Sequence, residues 1–269
     1  MRQTDNPVDE LQRLIHRARR ATRWSDPHPL IGRDRERNWL QTEGEKAFSE
    51  NLSMVCVYGP SGSGKSRLVK DVLPTFETRE DALVLSGKCD ENDPTPALSL
   101  KSALKSHIND IEAQSDDSLD DYKFLVDAGR SHKSALCAFY SEFYRIFDDA
   151  SSFEVEGQAR NRLLRKIAEF LSELAQKHSG LVLWLDDIQW MDQDTRRVLK
   201  LLTEDYTDCP LYIICTCRND PDSIEILDKF RDEFDTHLER SFEVQPFGED
   251  EVKELFRKEL GGSYFDSDF

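Results

Sequence analysis

Basic residues are in short supply: 36 Lys and Arg face 53 Asp and Glu, for a formal net charge of −17. That balance argues against a general nucleic-acid binder, whose footprint is basic. The deficit is uneven, because Arg13, Arg17, Arg19, Arg20 and Arg23 crowd one short stretch while residues 110–121 are strongly acidic. No C-x-x-C pair occurs among the six cysteines, so zinc-ligand spacing is missing. Cys56 and Cys215 lie inside apolar runs, and the expectation is buried, reduced thiols in a reducing intracellular compartment. No apolar stretch approaches the ~20 residues that a spanning helix needs. Met1 to Asp5 lack the apolar core of a secretion signal. These absences point to a cytoplasmic chain and leave the nucleus open. Internal repeats are lacking, and so is the N-K-x-D string that reads guanine.

What is present is one strongly patterned stretch. Val55-Cys56-Val57-Tyr58 favours a strand, G-x-x-x-x-G-K-S runs from Gly59 to Ser66, and a helical pattern opens at Arg67-Leu68-Val69. Glycines at 59, 62 and 64 allow a tight wrap that turns consecutive N–H groups inward. Pro60, Ser61, Ser63 and Arg67 complete the loop. The helix N-terminus behind it adds partial positive charge. Lys65 is then placed to reach the β- and γ-phosphates, and Ser66 to ligand Mg²⁺. The spacing predicts a nucleoside-triphosphate site.

With 33% charged and 38% hydrophobic residues, the chain has enough apolar content for a core beneath a heavily charged surface. Strands are expected at Met54–Tyr58, Ala82–Ser86, Leu181–Leu185, Leu211–Thr216 and Ser241–Val244, with helices between them. The Leu181–Leu185 run has no polar alternation, as a parallel strand covered on both faces requires. Alternating strands and helices predict an α/β fold with a five-stranded parallel sheet flanked by helices. The helix after the loop is expected from Lys65 to Val72, ending before Pro74. Between strands two and three lies a long helical insertion, residues 97–179, with three patterned segments. They are Leu100 to Ile111, the aromatic stripe Leu136 to Phe147, and Leu163 to Leu174. Residues 1–29 read as a basic helix and linker, 30–248 as the main domain, and 249–269 as the start of a truncated helical lid.

Ligands in parallel α/β sheets gather at the carboxyl ends of strands. The Leu181–Leu185 strand ends in Asp186 and Asp187. Asp186 is the better placed to hold Mg²⁺, and Asp187 to orient an attacking water. The Leu211–Thr216 strand leads to Arg218, which could neutralise or sense a γ-phosphate. No acceptor pocket for a phosphotransferase is visible.

Three stretches together resemble a known family: Leu30-Ile31-Gly32-Arg33-Asp34-Arg35-Glu36, the loop at 59–66, and Leu183-Trp184-Leu185-Asp186-Asp187-Ile188-Gln189-Trp190-Met191-Asp192. They look like the AAA-type (ASCE) P-loop ATPase domains related to Orc1/Cdc6, and more narrowly the STAND-like modules of large signalling proteins. The resemblance implies that Gly32 and Arg33 sit near adenine and ribose, that Lys65 and Ser66 bind phosphate and Mg²⁺, and that Asp186 binds Mg²⁺. It gives Asp187 a catalytic carboxylate's place and Arg218 a sensor's. Val244-Gln245-Pro246-Phe247-Gly248-Glu249-Asp250 is similar to the strand-to-lid junction. ATP rather than GTP follows from the same likeness. So does a slow ATPase switch with protein partners, an effector or lid segment, and nucleotide-dependent oligomers. An origin-recognition-type DNA loader and a scaffold that binds nucleotide without turnover share these motifs.

Overall fold

Four apolar runs become strands because each has two sides to bury: β1 (Ser53–Gly59), β2 (Leu83–Lys88), β3 (Leu181–Asp186) and β4 (Leu211–Arg218). The short β5 (Ser241–Glu243) is partly exposed and adds to the sheet by pairing with β1. All pair in parallel, in the order β2-β3-β4-β1-β5. The computed structural model describes residues 30–49, 51–79, 82–113, 119–147, 150–151, 158–236, 238, 241–249 and 251–253. The basic helix expected within 1–29, the acidic loop at 115–118 and the lid beyond residue 253 lie outside the described residues.

Side chains alternate across the sheet. Val55, Val57, Val84, Val182, Trp184, Tyr212 and Ile214 face one way, onto α1 (Asp34–Ser49) and α2 (Lys65–Arg79). Met54, Cys56, Leu83, Leu85, Leu181, Leu183, Leu185, Leu211, Ile213 and Cys215 face the other. There they meet α3 (Leu98–Ala113), α4 (Leu119–Gly129), α5 (Lys133–Phe139), α6 (Gln158–Lys177), α7 (Gln193–Asp205) and α8 (Ile224–Glu233). Apolar residues are therefore needed at both odd and even positions, which is why the strands read as unbroken hydrophobic runs. All six cysteines are free and buried in these layers. Burial pushes the Cys89 and Cys217 thiols up to about 12.

Two helical expectations are corrected. The first concerns α2, which continues through Pro74 to Arg79. Leu73 and Phe76 are fully buried. Burying each stabilises by about 1.5–3 kcal/mol, enough together to offset the ~3 kcal/mol cost of an internal proline. The second concerns the aromatic stripe, which is not one helix. It breaks at Tyr140 (φ −147°, ψ 118°) into α5 and a 3-10 turn, Ser141–Arg145. The break turns Phe143 fully into the core, stacked on Phe147 and edge-on to Phe170, while Tyr144 stays exposed. Within the expected helical insertion, α4 is an additional helix outside the three patterned segments; its pattern is weak because only a few of its residues, among them Leu125 and Ala128, are buried.

β4 lies between the loop strand β1 and the Asp-bearing strand β3. Val57 pairs with Thr216 and Leu185 with Cys215. That register brings Thr216 level with the paired carboxylates, between them and the loop.

Candidate functional site

The loop between β1 and α2 owes its shape to positions where a side chain cannot be accommodated. Gly59 approaches β5's exit so closely that an added Cβ would stand 2.4 Å from the Val244 carbonyl oxygen. Gly62 (φ 79°) and Gly64 (φ 92°) hold left-handed conformations, with open space where a Cβ would project. Leu68 N–H donates to Gly64 O at 2.8 Å, and the helix begins there. Lys65 folds over the loop and donates to the carbonyls of Gly59 (2.9 Å) and Pro60 (2.8 Å). Its ammonium is held below the usual lysine range, first by burial and secondarily by Arg218, with Asp187 and Asp186 opposing the shift. Ser63 Oγ is buried and has no hydrogen-bond partner among the described residues.

Across β4 stand the carboxylates. Asp186 Oδ1 accepts from Ser66 Oγ at 2.8 Å and from Thr216 Oγ1. Thr216 is fully buried and its Oγ1 also accepts from the Asp187 N–H at 3.1 Å, so one hydroxyl fixes both acidic residues. Asp187 adopts a left-handed conformation (φ 58°, ψ 50°). Its Oδ1 accepts from Gln189 Nε2 at 3.0 Å and lies 3.6 Å from Arg218 Nε; its Oδ2 lies 3.5 Å from Lys88 Nζ. Gln189 Oε1 in turn accepts from the Arg218 N–H at 3.2 Å. Asp192, the last acidic residue of the motif, caps α7 through the N–H groups of Asp194 and Thr195, and also accepts from Ala97 N–H.

A cavity of about 260 Å³ opens between loop and carboxylates, lined by Ser61, Gly62, Gly64, Lys65, Ser66, Arg67, Asp187 and Arg218. Gly59, Pro60 and Asp186 are hydrogen-bonded to lining residues through the contacts above, and Ser63 lies within the same loop. Gly32 and Arg33 are not among the lining residues. Arg33 is buried, donates to the Gln245 carbonyl and to Glu36, and lies 4.7 Å from the centre of the Phe247 ring. It joins the start of α1 to the segment after β5. Sequence reading missed Lys88 and left Gln189 without a role. Lys88 reaches the site through the β2–β3 register, in which it pairs with Asp186, and no local string marks it.

A five-stranded parallel sheet with a glycine-rich loop at one strand end and carboxylates two strands away defines a P-loop NTPase. More narrowly, the chain belongs to the AAA ATPase domain family, whose sequence profile matches residues 29–214. It is similar to hybrid signal transduction histidine kinase G of Dictyostelium discoideum, 28% identical over 183 residues, which are 65% of this chain and 5% of that protein. The chain thus spans a small fraction of that relative's length. A Walker-type ATPase of Pyrococcus abyssi has a similar fold, with a TM-score of 0.51 at 16% identity over 90% of this chain and 63% of that one. Among the described residues no helix is long and apolar enough to cross a membrane.

Proposed function

We propose that the chain is an ATP-binding and slowly hydrolysing module of the STAND-like signalling type, switching partner contacts with its nucleotide state. The observation that carries this reading is the 2.8 Å contact between Ser66 Oγ and Asp186 Oδ1, which joins two motifs 120 positions apart. It brings a hydroxyl and a carboxylate of the kind that hold Mg²⁺ in such enzymes to one rim of the sheet. The surrounding residues fit a triphosphate. Two left-handed glycines leave the loop concave, an ammonium crosses it, and Ser63 Oγ is a buried hydroxyl with bonding capacity to spare.

In this reading the amides from Gly59 to Arg67 and the Lys65 ammonium bind the phosphates, while Ser66 and Asp186 hold Mg²⁺. ATP with its metal supplies the phosphoanhydride and neutralises developing charge. Asp187 orients the attacking water and accepts its proton; Arg218 registers the γ-phosphate. Gly32 and Arg33 are assigned to the adenine and ribose end on family likeness. A signalling role draws on the relative's name and on the STAND-like motif around Asp187. Lys65→Ala should weaken Mg²⁺-dependent ATP binding by about tenfold to a hundredfold, the weight of one or two charge-assisted bonds. Titration calorimetry measures this, and equal affinity in parent and variant would remove the reading.

A further inference from the structure

Gln189 is only 5% exposed, yet it stands between two groups that the proposed reaction uses. Its amide nitrogen donates to Asp187 Oδ1 at 3.0 Å, and its amide oxygen accepts from the Arg218 N–H at 3.2 Å. A carboxylate only accepts and a backbone N–H only donates, so the two neighbours dictate one orientation of the amide. No other side chain of this length and neutral charge offers both functions. The two cations beside Asp187 constrain it less. Lys88 and Arg218 approach to 3.5 and 3.6 Å, their side chains are 68% and 39% exposed, and exposed pairs fix geometry weakly.

We propose that Gln189 is a positioning residue that aims the Asp187 carboxylate at the attacking water and locks β4's end, with Arg218, to β3's end. The proposal rests on the ATPase reading above. It assigns Gln189 to turnover and not to nucleotide affinity, because Gln189 contacts neither the loop nor Ser66 in the hydrogen bonds described. Asp187, already in a left-handed conformation, depends on this side-chain bond for its aim. Without it, the carboxylate is left to the two half-exposed or exposed cations, which fix its direction weakly.

The test is a double-mutant cycle on the full chain, read by single-turnover hydrolysis of radiolabelled Mg·ATP and by calorimetric affinity. Gln189→Met keeps the volume and removes both bonds. It should slow the chemical step by about 10- to 100-fold while ATP affinity stays within about threefold of the parent, the pattern of an interaction made chiefly in the transition state. In an Asp187→Asn background the same change should cost less than about twofold, since the residue acts through that carboxylate. Should Gln189→Met not fold, Gln189→Glu keeps the shape and the acceptor for Arg218 N–H but sets a second carboxylate against Asp187, and should slow turnover equally. Turnover within twofold of the parent, or losses that multiply in the double variant, would overturn the proposal. So would a parent that binds Mg·ATP and never cleaves it, which leaves nothing to position. Loss of the Lys65→Ala effect on ATP binding would instead defeat the broader reading, and the two failures are distinguishable.

Discussion

Asp187 pairs a strained backbone with an acid side chain. A non-glycine residue in the left-handed region costs on the order of 1 kcal/mol, and Asn tolerates that region as well as Asp does. Asp187→Asn therefore keeps the turn and removes the charge. Its hydrolysis rate should fall by about 10²–10³-fold, the usual weight of a general base, with ATP affinity close to the parent's. Single-turnover cleavage against a binding titration separates the two, and unaltered cleavage would return Asp187 to a structural role. Lys65, Ser66 and Asp186 were legible in the sequence because each sits in a local string with a fixed chemical purpose. Lys88 was not, since its contact with Asp187 depends on which strands become neighbours; Gln189 stood in a readable string, but its second partner, the Arg218 N–H, also depends on strand order. Arg33 shows a different limit: the string around it could be read, but its partners, Gln245 and Phe247, are more than two hundred positions away.

At the scale of elements, the strands were the most readable part. Two-sided burial leaves an apolar signature in β1 to β4, and these four and the less buried β5 all appear within two residues of their expected ends. The helices were read less well wherever core demand overrode local preference. Pro74 sits inside α2 because Phe76 needs a site in the core, and Tyr140 breaks a helical stripe so that Phe143 can turn inward. Phe143 packs on both Phe147 and Phe170. Phe143→Ala should lower unfolding stability by about 3–5 kcal/mol. Chemical denaturation measures it, and a loss below about 1 kcal/mol would mean that the 3-10 turn repacks without its anchor. ATP affinity of the folded variant should not change, because Phe143, Phe147 and Phe170 are not among the residues that line the cavity.

The molecule as a whole carries a formal charge of −17 around a sheet that has helices packed on both faces. Such self-repulsion opposes the compact state and is screened within about 8–10 Å at physiological salt. The melting temperature should rise as monovalent salt is added from low ionic strength, and a flat or falling profile would show that local pairing has already neutralised the surface. The same charge separates the switch reading from the DNA loader. Fluorescence anisotropy with duplex DNA should show no salt-sensitive binding, and a steep salt slope would favour the loader. Arg33 has one further bearing at this scale. It clips the polypeptide where it enters α1 to the polypeptide leaving β5, and Val244, one residue before Gln245, donates its N–H to Tyr58 O at 2.7 Å, directly beneath the loop. Arg33, together with Trp39 packed edge-on against Phe242, thus fastens the start of the domain to the segment around β5, and a shift of either is passed to the strand that ends in the glycine-rich loop.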